Sequence, residues 1–411
     1  MTGIEPSSIL RAGPRPLGLH LSLSTLSFGS SLGALSLAKN GTLAWLPELQ
    51  EEAEKIQAQL GQFEVAELAL ALGDEGQRLL SQMMSGIKKY QTHPYLRNMP
   101  TPPTVWSKGS MSLFDYGGAL SETAPVVFLV PSLINRSYIL DLMPGRSFVA
   151  ALADAGIRPL LVDWGTPGPD EKEYGLDNYL LDVLSPALDF AAESFPKAPL
   201  HLAGYCMGGT LATALAQFKQ DKIASLITIA APWDFHEGLG QSARAIISNP
   251  VTWETILQTY GELPVDVIQS LFANLDPNLC LNKFSLFDQM VQTEKRAETF
   301  VALEDWLNDG IPLVKNVAYS CFIEWYGENR PALCKWLVRG EVINPEYITI
   351  PSMIVVPRSD RIVPPGSARA LAQKIPNASL VTPPSGHIGM VVGSSASKGL
   401  WANMLQWVSS Q

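Results

Sequence analysis

Residues 204–209 read Gly-Tyr-Cys-Met-Gly-Gly and follow directly on the apolar run 199–203. A short apolar run of that kind is a buried strand, and the small-residue stretch 208–216 after it has the composition of a closely packed helix. Between them the chain must reverse within a few residues. Glycines on either side of the apex let strand and helix approach closely, and the apex side chain is pushed to the open end of a sheet. A thiol in that place is a nucleophile. Thiolate attacks acyl carbon readily and leaves readily, which suits acyl transfer through a thioester. With this content of Gly and Cys, G-x-C-x-G would arise by chance about 0.02 times in such a chain. The competing reading is a small buried cysteine in a tight turn.

The rest of the chain supplies the sheet such a turn needs. From Thr104 onward there is a hairpin over 105–116 with Lys108-Gly109 at its turn, then strands at 126–130, 158–164, 200–205 and 225–230. Helices at 145–155, 176–193 and 207–219 alternate with them. This order predicts an α/β protein with a mostly parallel central sheet covered on both faces. The alternation lapses from 232 to 346, a helical span rich in aromatics such as Trp233, Trp253, Trp306, Trp325 and Trp336. It resumes with strands at 353–356 and 379–381 and a closing helix at 401–408. The lapse reads as an inserted helical cap, about 232–346, in a domain running 104–411. Residues 1–103 read as an N-terminal helical extension. Within it Ile56, Leu60, Phe63, Val65, Leu68 and Leu72 fall at roughly helical spacing, and Pro94, Pro100, Pro102 and Pro103 punctuate its end.

Composition narrows the function. The chain has 411 residues, 46% hydrophobic and only 17% charged, so a large core and a relatively apolar surface are expected. A net charge of −10 without a Lys/Arg stripe argues against nucleic acid. Cys206, Cys280, Cys321 and Cys334 are widely spaced, which suggests free thiols in a reducing cytoplasm rather than a zinc site or disulfides. No apolar run reads as long enough to span a bilayer. Residues 17–38 share with a secretion signal their leucines and the preceding Arg11 and Arg15, but have no compact leucine-dense centre. A loosely helical segment is the expectation there.

A cysteine nucleophile needs a base and a carboxylate to orient it. Only His236 and His387 follow Cys206. His236 falls at the start of the expected cap. His387 falls in Pro384-Ser385-Gly386-His387-Ile388-Gly389, after the last expected strand, and is the better base. Asp360, in Arg358-Ser359-Asp360-Arg361, follows the preceding strand at the carboxyl end of the sheet, where such folds gather catalytic groups. The competing readings are a loop histidine and a carboxylate that caps a helix or pairs with its arginines. The oxyanion needs two donors. One is the backbone N–H of Met207. The other comes from the loop Pro131-Ser132-Leu133-Ile134-Asn135-Arg136, where proline has no N–H, and Leu133 or Ile134 suits better than Ser132.

Together these motifs resemble the poly(3-hydroxyalkanoate) synthases, in which cysteine replaces the serine of a lipase-like box on an α/β-hydrolase fold. The resemblance takes in 129–142, Val162-Asp163-Trp164-Gly165, 174–182, 359–364 and 385–389, so roughly 105–232 and 350–410, while the cap matches poorly. It implies an acyltransferase that polymerises (R)-3-hydroxyacyl-CoA and releases CoA, with Cys206 carrying the acyl group, His387 deprotonating it and Asp360 tuning His387 or helping to activate the 3-hydroxyl of the incoming acyl group. It further implies no resident cofactor and no metal, a cytoplasmic enzyme at a polyester granule surface, and work as a homodimer or with an accessory synthase subunit. CoA is polyanionic, so a local basic patch is expected, with Arg136 as a candidate beside Arg146 and Lys398. A thioesterase or intracellular polyester depolymerase would use the same triad but admit water. A granule-associated scaffold with a vestigial site would use none of it.

Overall fold

The computed structural model describes residues 11–238, 247 and 249–411. The chain forms two compact units, Met1–Leu96 with Asp266–Asn308, and Arg97–Val265 with Asp309–Gln411. This division differs from the one expected at 103/104. The middle of the expected cap groups with the N-terminal helices, because its apolar positions complete their core.

The smaller unit is helical. Its helices include Leu17–Lys39, Gln50–Leu60, Val65–Gln91, Leu279–Asp288 and Lys295–Asn308. Met83, Ile87 and Tyr90 from the long third helix bury against Cys280, Phe284 and Phe287. Such burial removes roughly 1.5–3 kcal/mol worth of apolar surface from water per large side chain. The helix Leu17–Lys39 corrects the expectation of a loose segment without membrane-spanning length. It is continuous for 23 residues, long and apolar enough to cross a membrane by length and composition, and only Ser24 and Leu35 in it are buried. The reason lies in its composition: serines and glycines interrupt the leucines, but no charge enters before Lys39.

The larger unit is built on one eight-stranded sheet. Its strands are β1 (Thr104–Lys108), β2 (Met111–Asp115), β3 (Val126–Val130), β4 (Arg158–Asp163), β5 (Leu200–Tyr205), β6 (Ser225–Ile229), β7 (Ser352–Val355) and β8 (Ala378–Val381). The spatial order is β1-β2-β4-β3-β5-β6-β7-β8. β1 pairs antiparallel with β2 and β2 with β4, and the other neighbours run parallel. Val126–Val130 is buried at every position, as a parallel strand covered on both faces must be. The α/β-hydrolase architecture expected from the sequence is therefore present, with β5 near the middle and its carboxyl end feeding the elbow.

β5 also carries a buried histidine with a consequence for stability. His201 is fully buried, its Nδ1 lies 2.8 Å from Ser225 Oγ, and its Nε2 has no hydrogen-bond partner among the described residues. Burial disfavours the imidazolium and lowers the His201 pKa to about 4. The unfolded chain takes up this proton near pH 6.5, whereas the folded chain resists until about pH 4. Stability from this group is therefore full above pH 6.5 and is lost as the pH falls toward 4, by about 3 kcal/mol. Urea unfolding from pH 7 to 4 is expected to show wild type losing about 3 kcal/mol more than His201→Gln. Parallel pH profiles would refute the assignment.

Candidate active site

The elbow is strained as the glycine spacing predicts. Cys206 has φ 56° and ψ −129°, a backbone conformation that non-glycine residues avoid, and it immediately precedes the helix Met207–Lys219. Two glycines make the turn possible. A Cβ on Gly204 would lie 2.3 Å from Gly208 O, and one on Gly208 would lie 2.1 Å from Val130 O and 2.5 Å from Pro131 O. The helix start thus touches the main chain at the end of β3. The Cys206 N–H donates to Ile229 O of β6 at 2.8 Å, and Gly209 N–H donates to Cys206 O at 2.8 Å, so the turn is fixed on both sides.

The structure brings Cys206, His387 and Asp360 together. Asp360 Oδ1 accepts from the N–H groups of Ile362 and Val363, both at 2.9 Å, and Asp360 Oδ2 lies 2.7 Å from His387 Nδ1. An ionised carboxylate only accepts, so His387 Nδ1 carries the hydrogen, and the other ring nitrogen is left for Cys206. Cys206 is near enough to His387 for its charge to act on the imidazole. Asp360 and His387 are 5% and 6% exposed, so their pairing is shielded from water. Burial opposes the charged imidazolium. The negative charge at Cys206, and the hydrogen bond and charge of Asp360, outweigh it and raise the His387 pKa to about 10.

The loops bearing the two residues are laced together. Arg358 N–H donates to Pro383 O at 3.0 Å and Ser359 N–H to Ser385 O at 3.1 Å, extending the β7–β8 pairing beyond the strands. Beneath the histidine lies Tyr205, which the sequence reading did not single out. Its ring is 5.1 Å from the His387 ring and its hydroxyl donates to His387 O at 3.3 Å. Its place next to the nucleophile was the available signal.

The loop after β3 is held from three directions. Trp164 Nε1 donates to Pro131 O at 3.0 Å, Ser137 Oγ donates to Asp163 Oδ2, and Ile311 N–H donates to Ile134 O at 2.8 Å. The contact of Gly208 with Pro131 O sets this loop against the helix that starts with Met207. Leu133 is buried, while the Ile134 N–H is turned toward Ser132 Oγ at 3.3 Å. Of the two expected loop donors, Leu133 therefore has the less occupied N–H. Ile311 was not legible, because nothing in sequence links it to a loop 177 residues earlier.

Two other named residues have different surroundings. His236 bonds to main-chain carbonyls: its Nε2 donates to Tyr326 O at 3.0 Å and approaches Gly327 O at 3.2 Å. Arg136 spends its donors within the fold, on Gly165 O at 2.8 Å, Thr166 Oγ1 at 2.9 Å and Asp309 Oδ1 at 3.4 Å. Those contacts give the expected CoA interaction no support. Among the described residues, no three His, Cys, Asp or Glu side chains are grouped to hold a metal ion.

The chain is 28% identical to the poly(3-hydroxyalkanoate) polymerase subunit PhaC of Haloferax mediterranei over 313 residues, covering 75% of this chain and 63% of that protein. It is 29% identical to the subunit of the same name from Haloarcula marismortui, covering 71% and 62%. With that from Synechocystis it shares 26%, covering 75% and 84%. The chain thus spans somewhat under two thirds of the first two relatives, and the motif resemblance is borne out by all three. Among solved structures, a monoacylglycerol lipase from Paleococcus ferrophilus superposes with a TM-score of 0.46 at 16% identity, covering 73% of this chain and 98% of that one. The family model described as alpha/beta hydrolase fold matches residues 125–394, and together with the sheet order and the elbow it settles the affiliation: the chain belongs to the alpha/beta hydrolase fold family.

Proposed function

We propose that this protein is an acyltransferase that polymerises (R)-3-hydroxyacyl-CoA into a polyhydroxyalkanoate and releases CoA. The observation that carries the reading is the buried Asp360–His387 pair combined with a cysteine, not a serine, at the apex of the elbow. The relatives' names support the choice of reaction.

In the first half-reaction His387 takes the Cys206 proton and the thiolate attacks the acyl-CoA carbonyl. The Met207 and Leu133 N–H groups receive the developing oxyanion. The C–S bond to CoA breaks, His387 returns its proton to the leaving thiolate, and the acyl group stays on Cys206. Thioester exchanges for thioester, so this step is nearly isoenergetic. In the second, His387 accepts the proton of a 3-hydroxyl group and the resulting oxygen nucleophile attacks the Cys206 thioester. An ester forms, the thiolate leaves and is reprotonated by His387, and the chain is one unit longer. The ester is more stable than the thioester, which drives growth. Asp360 holds the Nδ1 hydrogen and stabilises the imidazolium throughout. No resident cofactor is required by this sequence of steps. The enzyme would act in the cytoplasm at the granule its product forms, and the word subunit in the relatives' names supports a working assembly of more than this chain.

Purified protein with 3-hydroxybutyryl-CoA tests the reading, following CoA release and the acyl group together. Release with insoluble polyester is expected. Release with free 3-hydroxybutyrate alone would reassign the chain as a thioesterase.

A further inference from the structure

We infer that Trp164 is a positioning residue for acyl transfer: its indole N–H fixes the peptide at the start of the loop after β3, and with it the donor this loop offers to the oxyanion. The inference rests on the acyl-transfer reading for its substrate, though the positioning itself can be tested without a CoA ester.

Three consecutive residues at the end of β4 hold the loop. Asp163 Oδ2 accepts from Ser137 Oγ, Trp164 Nε1 donates to Pro131 O at 3.0 Å, and Gly165 O accepts from Arg136 Nη1 at 2.8 Å. The loop is thus gripped at both its ends, at 131 and at 136–137, by one stretch of chain. That stretch is itself fixed. The Gly165 N–H donates to Asp163 Oδ1 at 2.9 Å, and Ser110 Oγ donates to Trp164 O at 2.8 Å. Gly165 has φ 64°, and a Cβ there would lie 2.3 Å from Ser110 O, so the turn after Trp164 requires glycine. The Trp164 side chain is buried and meets the Tyr179 ring edge-on at 5.6 Å. A buried indole N–H has to find an acceptor, and here the acceptor is a carbonyl of the loop.

The grip by Trp164 is the one that reaches the elbow. Val130 pairs with Gly204 in the sheet, and the Pro131 carbonyl lies against Gly208, which follows Cys206 by two residues. A Cβ on Gly208 would be 2.5 Å from the Pro131 oxygen and 2.7 Å from its carbonyl carbon. A trans peptide is planar, with its C=O and N–H on opposite sides. Holding Pro131 O on the indole therefore fixes the direction of the Ser132 N–H and the course of the chain into Leu133. Turned over, the same peptide would present a carbonyl where a donor is needed and would repel the oxyanion. Leu133 is held from the same side, since it and Trp164 line one small cavity with Tyr179, Ile311 and Val317.

The test compares wild type with Trp164→Phe, with Trp164 replaced by 3-benzothienylalanine through stop-codon suppression, and with Tyr179→Leu. The first two lack the N–H, and the benzothienyl ring keeps the shape of the indole. The third loosens the packing and leaves the N–H in place. Two reactions of Cys206 are followed by mass spectrometry. Acetylation by p-nitrophenyl acetate passes through an oxyanion, whereas alkylation by iodoacetamide displaces iodide from a saturated carbon and forms none. The acetylation-to-alkylation ratio is expected to fall about tenfold or more in both proteins without the N–H. In Tyr179→Leu it should stay within about threefold of wild type. With 3-hydroxybutyryl-CoA, kcat should fall in the same order while KM stays within about twofold. Each ratio is taken within one protein, so partial loss of folded material cancels. An unchanged ratio in the benzothienylalanine protein overturns the role of the N–H. An equal fall in Tyr179→Leu overturns it too, because packing would then hold the loop. A fall confined to the two proteins without the N–H, with no turnover of the acyl-CoA by wild type, upholds the positioning and removes the polymerase reading instead.

Discussion

Cys206→Ala is expected to abolish CoA release from 3-hydroxybutyryl-CoA, by about 10⁴-fold or more, while leaving the fold intact. The size follows from the site. Asp360 and His387 serve one sulfur atom, and without it neither the acyl carrier nor the proton donor to His387 exists. Residues that act as a unit are not additive. The double variant Cys206→Ala/His387→Ala should therefore lose little more than either single variant. Stability should change little, because the turn is held by main-chain bonds from Cys206 N–H to Ile229 O and from Gly209 N–H to Cys206 O, which alanine keeps. Cys206→Ser should also fall sharply. A hydroxyl is a far weaker acid than a thiol and would form no stable ion pair with an imidazolium whose pKa is raised partly by charge at Cys206. Residual CoA release within about tenfold of wild type in Cys206→Ala would mean that another group carries the acyl chain, and the proposed mechanism would fail.

What the sequence disclosed and what it withheld divide along physical lines. Strand runs such as 126–130 and 200–205 were legible because buried parallel strands are continuous apolar runs, and the elbow because only glycine permits its contacts. Asp360 and His387 were legible because their loops leave adjacent strands at the same end of the sheet. The grouping of 266–308 with the N-terminal helices was not, since helical periodicity says that a face is apolar but not what covers it. The π-helical turn at Ser320–Gly327 was equally hidden: its sequence has no glycine or proline before Gly327 to mark a departure from ordinary helix. His236 looked like a spare base, and its bonds to the carbonyls of Tyr326 and Gly327 show where it is used instead.

Gly208→Ala is the second large effect, and it separates the oxyanion site from the nucleophile. An added Cβ would sit 2.1 Å from Val130 O and 2.5 Å from Pro131 O, and both are main-chain atoms that no side-chain rotation can clear. The helix cannot retreat in the other direction, because Gly204 already packs against the main chain of Gly208 and Gly209. The loop after β3 must therefore move away, against the restraints from Trp164 and Ile311. A shift of about 1 Å in the second oxyanion donor costs about 100-fold in acyl transfer, and overpacking of this kind costs about 1–3 kcal/mol of stability. Cys206 and His387 belong to the other side of the turn and keep their places, so alkylation of Cys206 by iodoacetamide should stay within about threefold of wild type. The expected signature is a lower melting temperature, a reactive thiol and acyl transfer lost at least about 100-fold. Wild-type turnover in folded Gly208→Ala would show that the loop after β3 takes no part in holding the oxyanion. Loss of thiol reactivity in parallel with turnover would place the damage at the nucleophile.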